Sequence, residues 1–375
     1  MQISKSLRNI GLLVFFGITA CSPTAEIIPP TPSATLGPTA TASLTPSNTP
    51  TATPEPVEDI SFLNQPDGTL RVISYNVNWD SIFPVGDPDS HDLRTYAKEH
   101  GFIRIMQATS PDIVCLQEIN PSRDASEIAE IMNEALGETT WQAVGVRDSF
   151  IASRYPLSIG NYELDPNTYH PSVPQASTLV DLPDSDFVKD IFVTCSHFKA
   201  SGTSGDRLLR RRQADMIMFN IHDFINPGGN FDGAVGTPFL ILGDFNIYNS
   251  EGIPVHLTTL LSGDISNEDQ FGVDFQPDWD RTALGDALPS HNGLGEEFYT
   301  WRDDQSVFGN EILDRVIYSD SVLSISNSFI LDSSTFSQSA LDAAGLQSQD
   351  VALIPANGYF DHYPLVVDFT LDSYQ

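Results

Sequence analysis

The chain alternates between short apolar runs, which are typical of buried strands, and longer segments with apolar residues at helical spacing. Residues 239–246, FLILGDFN, show the strand pattern most clearly, because a continuous apolar run fits a strand buried on both faces. Gly243 predicts a turn of the backbone at the end of this strand, beside Asp244 and Asn246. Strands of layered α/β folds bind ligands at their carboxyl ends, so this end is a candidate site, with a simple Asx turn as the alternative.

Similar patterns predict more strands than helices, which indicates two packed sheets with helices outside. Strands are predicted over residues 70–76, 112–118, 141–146, 149–153, 157–162, 177–182, 190–197, 239–246, 298–302, 313–318, 324–331 and 364–371. Helices are predicted over residues 92–107, 122–136 and 206–224, the second of them capped by Ser122. Residues 263–297 predict a long acidic loop, and a connection of that length is more often functional than idle.

The amino terminus has the features of a secretory signal. Lys5 and Arg8 precede a short apolar segment, residues 11–18, that is too short to span a bilayer permanently. The following Thr-Ala-Cys resembles the lipobox of bacterial lipoproteins, which implies that Cys21 becomes a lipidated amino terminus. An ordinary signal peptide with a chance Cys is the alternative. We therefore predict a signal peptide over residues 1–20 and a membrane anchor at Cys21.

Residues 21–58 consist mostly of Pro, Thr, Ser and Ala without apolar periodicity. Such a segment cannot bury enough surface to offset its chain entropy, so we predict an extended, solvated tether. The remaining residues, 59–375, are long enough to bury one large core, since 40% of the chain is hydrophobic. We expect this single domain to act as a monomer outside the cytoplasm.

The chain is strongly acidic, with a formal net charge of −32. It therefore lacks the broad positive surface that sequence-independent nucleic-acid binders use, although bound divalent cations would offset this locally. The acidity makes a polyanionic substrate less favoured but does not exclude one. The one basic cluster comprises Arg207, Arg210, Arg211 and Arg212, and we favour an exposed helix face over a phosphate-facing edge.

Cys115 and Cys195 each lie in an apolar, strand-like run, where a buried Cys acts as a small hydrophobe. They could pair in an oxidising compartment, but neighbouring strands seldom offer disulfide geometry. We therefore expect two free, buried thiols.

Polar side chains recur where the predicted strands end or begin, and each strand contributes a different one. A single such residue is often structural, but the whole series is hard to explain in that way. These residues are Asn76, Glu118, His197, Asp244, Asn246, Asp314, Asp361 and His362. Carboxylates and amides without Cys select a hard cation such as Mg²⁺ or Mn²⁺.

The series SYNV, LQEI, ASRYPL, CSHFKA, GDFN, LDRVIYS and DHYP resembles the signature of the endonuclease/exonuclease/phosphatase superfamily, over residues 70–369. The resemblance implies an α/β (α+β) fold: the four-layered, DNase I-like sandwich of two mixed sheets packed face to face with helices outside. It also implies hydrolysis of a phosphoester by direct attack of water, assisted by Mg²⁺ or Mn²⁺.

The resemblance implies a role for each residue at the metal and the attacking water. Glu118 would be the main Mg²⁺ ligand, with Asn76 beside it and Asp361 supporting the site. Asp244 would orient or deprotonate the water. Whether Asp244 or His362 is the general base stays open.

The remaining roles concern the phosphate and its negative charge. Asn246 would hold a phosphoryl oxygen, and His197 would contact the phosphate. Asp314 would hydrogen-bond His362, fixing its tautomer and favouring its charged form. Trp301 is predicted either at the cleft border or in the core.

A nuclease acting on extracellular nucleic acid is the function we expect. Within the same chemistry, a phospholipid or sphingomyelin phosphodiesterase is the runner-up, because a membrane-anchored enzyme is near lipid, and a sugar-phosphate or nucleotide phosphatase stays open. A different class is a non-catalytic surface binding protein that has kept the fold. Loss of a metal ligand or of the Asp314 and His362 pair would indicate such a protein. This chain contains both Asp314 and His362.

Overall fold

The structure is a computed structural model that describes residues 56–78, 93–157, 175–228, 233–248, 254–303, 309–351 and 361–374. The predicted signal peptide, Cys21 and most of the predicted tether lie outside these residues. So does the predicted strand 157–162 beyond Leu157, which itself bridges to Val180.

Two mixed sheets form the centre of the fold. The six-stranded sheet has the order β10 (Leu323–Ile330), β11 (Leu365–Leu371), β1 (Leu70–Asn76), β2 (Ile113–Gln117), β4 (Ser149–Ser153) and β3 (Gln142–Val146). The five-stranded sheet has the order β5 (Gln175–Val180), β6 (Ile191–His197), β7 (Phe239–Asp244), β9 (Asp314–Tyr318) and β8 (Gly285–Ala287). The β1/β2 and β6/β7 pairs are parallel, and the other pairs are antiparallel.

The helices are α1 (Leu93–Thr109), α2 (Ala125–Leu136), α3 (Ser204–Ile225), α4 (Val255–Ser262), α5 (Glu268–Phe271) and α6 (Gln338–Ala344). Asp124 caps α2 rather than the predicted Ser122, because its carboxylate accepts a hydrogen bond from the amide of Glu127. The predicted acidic loop contains α5 and β8, and the predicted strand 298–302 is an isolated bridge at Trp301. None of the helices in the described part of the chain is long and apolar enough to cross a membrane.

The main core lies between the two sheets, which pack face to face. On β6, Val193 and Cys195 face this core, whereas Phe192 packs with α3 in a second cluster on the outer face. Because side chains alternate along a strand, His197 shares the inner face with Val193. The same alternation on β7 directs Asp244 inward. The predicted four-layered architecture is confirmed. It places polar side chains at one open end of the interface between the two sheets.

The prediction of two free thiols is wrong, because Cys115 and Cys195 form a disulfide with a Cα–Cα distance of 5.5 Å. The prediction treated the two cysteines as members of neighbouring strands in one sheet. Cys115 lies on β2 and Cys195 on β6, so they belong to different sheets and meet across the core. The disulfide therefore links the two sheets covalently.

The contacts of the domain begin slightly before the predicted tether boundary. Val57 forms a parallel bridge with Phe336. The Glu58 carboxylate accepts hydrogen bonds from the hydroxyls of Ser337 at 2.8 Å and Ser339 at 3.0 Å. Among the described residues, the folded part thus includes the last two residues that the sequence assigned to the tether.

Candidate active site

Strand register brings the predicted residues together at one end of the sandwich. The parallel β6/β7 pairing places His197 opposite Asp244, and the antiparallel β7/β9 pairing places Asp244 opposite Asp314. In the facing sheet, Asn76 ends β1 and Glu118 follows β2 directly. The carboxyl ends of β1, β2, β6 and β7 therefore converge on a single cleft, as is common in α/β folds.

Backbone geometry at these strand ends is unusual. Gly243 has a φ of 146°, and a Cβ there would lie 1.9 Å from the carbonyl oxygen of Ser196. Glycine is therefore required by this close approach of β7 to β6, rather than by the predicted turn. Glu118 and Asn246 adopt left-handed conformations with φ of 58° and 49°. Such conformations are uncommon outside glycine and tend to cluster at functional sites.

Asp314 and His362 form a buried pair. The Nδ1 atom of His362 lies 2.8 Å from Oδ2 of Asp314, and its Nε2 atom lies 3.6 Å from Oδ2 of Asp244. Burial lowers the pKa of His362, but the charges of Asp314 and Asp244 raise it well above its usual value. The pair therefore favours the charged form of His362, whose Nε2 atom faces Asp244.

Glu118, His197 and Asp244 form a group whose potential ligand atoms all lie within 4.8 Å of one another. The Nε2 atom of His197 is 3.8 Å from Oε1 of Glu118 and 3.6 Å from Oδ2 of Asp244, and it is buried without a hydrogen-bond partner. Burial raises the pKa values of the Glu118 and Asp244 carboxyls. Two carboxylates held this closely in a buried place fit a divalent cation with a preference for oxygen ligands.

Asp148 is a site residue that the sequence analysis missed. Its Oδ2 atom lies 3.0 Å from Nδ1 of His197. Burial lowers the pKa of His197, but the hydrogen bond with Asp148 and the charges of Asp244 and Glu118 raise it to about 9. Such an imidazolium is a poor metal ligand and a good donor to a phosphate. Asp148 lies in the turn after β3, where an acidic residue is common, so no specific signal identified it.

Asn76 joins the carboxylates of Glu118 and Asp244. Its Nδ2 atom donates to Oε1 of Glu118 at 3.1 Å and to Oδ2 of Asp244 at 3.2 Å. Its Oδ1 atom accepts from the amide of Asn78 at 3.0 Å, which fixes the orientation of the carboxamide. Asn76 therefore lies beside Glu118, where it was predicted, and holds the carboxylates in place through its nitrogen.

Asp361 lines the same cleft but stands outside the group formed by Glu118, His197 and Asp244. Its two carboxylate oxygens accept hydrogen bonds from Nδ2 of Asn78 at 3.3 Å and from Nε1 of Trp301 at 3.1 Å. A supporting role for Asp361 at the metal stays a prediction.

The cleft has a volume of about 570 Å³. Its lining residues are Glu118, His197, Ala200, Ser201, Gly202, Arg207, Asp244, Asn246, Tyr248, Trp301, Glu311, Leu313, Asp361 and His362. Trp301 thus lies at the cleft border, one of the two predicted positions. Ala200, Gly202 and Tyr248 had no signal in the sequence, because small loop residues and a tyrosine after GDFN are not specific patterns.

Arg210 corrects part of the prediction of an exposed basic face on α3. Its side chain is fully buried and donates from one guanidinium nitrogen to the carbonyls of Lys199 at 2.9 Å and Ser201 at 2.7 Å. Arg207 and Arg211 are exposed as expected, and Arg207 also lines the cleft. Within the cluster, Arg210 is therefore a buried brace and Arg207 lines the cleft, whereas Arg211 is exposed and Arg212 is half-buried.

Solved structures of three other proteins share this fold. The human Nocturnin catalytic domain with bound sulfate has a TM-score of 0.50 at 16% identity, covering 82% of this chain and 96% of that chain. ANGEL2, a 2',3'-cyclic phosphatase, has a TM-score of 0.50 at 16% identity, covering 80% and 95%. An endonuclease/exonuclease/phosphatase from Bacteroides vulgatus has a TM-score of 0.50 at 14% identity, covering 81% and 99%.

At these identities the likeness concerns the fold alone. No curated protein sequence matches the chain. The sequence pattern of the Endonuclease/Exonuclease/phosphatase family matches residues 73–335, which is more than half of the chain. The chain therefore belongs to the endonuclease/exonuclease/phosphatase family, and the protein is a phosphoric ester hydrolase.

Proposed function

We propose that the protein is a Mg²⁺-dependent phosphoesterase that acts outside the cytoplasm. One observation carries the proposal: the group formed by Glu118, His197 and Asp244 shares a single cleft with the Asp314 and His362 pair. Members of the family are generally dependent on divalent metal ions. Carboxylate oxygens are the ligands that Mg²⁺ prefers, which favours Mg²⁺, or Mn²⁺, over a structural zinc.

Each residue would then have a defined task. Glu118 and Asp244 would hold the cation, which when bound screens the phosphate charge and favours attack by water. Asp244 would also orient the attacking water or take its proton. The imidazolium groups of His197 and His362 would stabilise negative charge that develops on the phosphoryl oxygens. Asn246 would donate a hydrogen bond to one of those oxygens.

For the substrate, we propose a nucleic acid. Arg207 and Trp301 line the cleft beside the catalytic groups, and cationic and aromatic side chains are the contacts that nucleic acids use. A small phosphoester, such as a sugar phosphate or nucleotide, is the second candidate. The net charge of −32 favours it, because a long polyanion needs many cationic contacts.

Two observations support a place outside the cytoplasm. The signal-like segment ends at Cys21, which we propose is lipidated and anchors a monomer to the membrane. The disulfide between Cys115 and Cys195 also favours an oxidising compartment, where such bonds form and persist.

A substrate panel tests the proposal. Plasmid DNA, RNA, sphingomyelin, inositol phosphates, sugar phosphates and nucleotides are incubated with the protein in Mg²⁺ or in EDTA, and released phosphate or cleaved product is measured. At least one phosphoester should be hydrolysed in Mg²⁺, and EDTA should abolish the reaction because, without the cation, the anionic carboxylates repel the phosphate. Asp244→Asn is the control for contaminating activity.

Hydrolysis that persists in EDTA would contradict the dependence on metal. Complete inactivity across the panel, with binding of a phosphoester retained, would instead favour the non-catalytic surface binding protein. Cleavage of DNA or RNA would support the proposed nuclease activity. Cleavage confined to small molecules would favour the second candidate, a hydrolase of small phosphoesters.

A further inference from the structure

The hydroxyl of Tyr248 connects the cleft wall to Asn246. It lies 2.9 Å from the backbone nitrogen of Ser201 and 2.8 Å from Oδ1 of Asn246. A backbone N–H can only donate, so the tyrosine oxygen accepts from Ser201. The single phenolic proton is then directed to Asn246, whose Oδ1 atom accepts it.

This order of donors fixes which end of the Asn246 carboxamide is available to a ligand. With Oδ1 occupied by Tyr248, the nitrogen Nδ2 is at the other end and donates to the carbonyl of Phe198 at 3.0 Å. An amide nitrogen carries two protons, so a second donor remains for a phosphoryl oxygen in the cleft that Asn246 lines. A carboxamide turned by half a rotation would present an oxygen to the phosphate and repel it.

The wall that holds Tyr248 is itself braced. The Arg210 guanidinium lies 5.1 Å from the centre of the Tyr248 ring and donates to the carbonyls of Lys199 and Ser201. The side chain of Gln213 accepts from the amide of Lys199 at 2.8 Å. Ser201 has a φ of 82°, a conformation that persists only where the surroundings enforce it. The N–H that polarises Tyr248 is therefore held at a fixed place.

We propose that Tyr248 is a positioning residue that locks the carboxamide of Asn246 with its nitrogen toward the phosphate. The inference rests on the proposed function, in which Asn246 contacts a phosphoryl oxygen. It explains why a fully buried arginine and a loop with a left-handed serine lie next to the catalytic groups. The Arg210 side chain acts through Tyr248 and the loop rather than on the substrate.

Tyr248→Phe tests the proposal, because it keeps the ring beside Arg210 and removes only the hydroxyl. We expect the inhibition constant for inorganic phosphate to rise about tenfold and kcat/KM to fall by a similar factor, which is within the range for one hydrogen bond to a charged group. The melting temperature should stay within about 2 °C of the wild-type value, since the loop keeps its Arg210 bonds. Tyr374→Phe is the matched control: it removes a tyrosine hydrogen bond to the carbonyl of Trp279 and should change neither constant.

Asn246→Ala separates this inference from the proposed function. It should weaken phosphate inhibition at least as much as Tyr248→Phe, and adding Tyr248→Phe to it should cause no further loss, because both act through one carboxamide. If Asn246→Ala leaves phosphate inhibition unchanged, the proposed role of Asn246 fails. If Asn246→Ala is impaired while Tyr248→Phe behaves as wild type, or if the two losses multiply, the positioning role of Tyr248 is overturned and the proposed function stands.

Discussion

His362→Ala and Asp314→Ala should each lower kcat by at least about a hundredfold, the range for a positioned acid–base group. The expectation rests on the 2.8 Å contact between His362 and Asp314 and on the burial of both side chains. Without Asp314, the imidazole loses the charge that raises its pKa and the contact that fixes its tautomer. Turnover of the best substrate of the panel at saturating Mg²⁺ is the measurement.

Asp314→Asn is the matched variant, because it keeps the shape of the side chain and removes only its charge. It should lose as much activity as Asp314→Ala while remaining folded by circular dichroism. The two residues act as one unit, so His362→Ala combined with Asp314→Ala should be scarcely slower than the more damaged single variant. If the losses of kcat in the two single variants multiply in the double variant, the residues act independently. Full activity of both single variants would remove the pair from the reaction.

Replacing both Cys115 and Cys195 by Ala should lower the free energy of unfolding by about 4 kcal/mol, since the bond closes a loop with a sequence separation of 80 residues. For a domain of this size the loss corresponds to a fall in Tm of roughly 6 °C. The bond joins the two sheets across the core, so its loss releases a constraint that no backbone ladder replaces. Thermal unfolding followed by circular dichroism is the measurement.

Non-reducing peptide mapping provides the control, because it identifies a peptide that contains both Cys115 and Cys195. Cys21→Ser in the full chain should leave Tm unchanged, since the sequence assigns that residue to the predicted tether. Detection of two free thiols in the native protein, or an unchanged Tm for the double variant, would contradict the structural role of the disulfide.

The sequence predicts the site residues that belong to strands, and the reason is geometric. A strand pattern fixes the face of each side chain, and carboxyl ends of parallel strands meet at one edge. The positions of His197 and Asp244 at strand ends could therefore be inferred from the pattern, and the parallel register of β6 and β7 brings the two residues together. Asp314 begins the antiparallel strand β9, and its contact with His362 was implied by the family resemblance. Fold class followed from the same alternation together with the family resemblance.

The local pattern of apolar and polar residues does not predict contacts between loops or between sheets. Asp148 meets His197 from a turn, Tyr248 lies after the last strand residue, and Arg210 folds back under a loop. The Cys115 and Cys195 disulfide depends on how far one sheet is shifted over the other, which periodicity along one strand does not encode. The sequence analysis therefore described the ends of the strands and missed what braces them.

The Mg²⁺ dependence of turnover, measured for the wild type, Glu118→Gln and Glu311→Gln, tests the central claim most directly. Glu118 belongs to the group with His197 and Asp244, whereas Glu311 lines the same cleft outside that group. We expect Glu118→Gln to raise the Mg²⁺ concentration for half-maximal activity by at least about tenfold, as loss of a metal contact does. Calorimetric titration with Mg²⁺ should show the same weakening, and Glu311→Gln should match the wild type in both. An unchanged Mg²⁺ dependence in Glu118→Gln would contradict the account, because the metal would then be held by other residues.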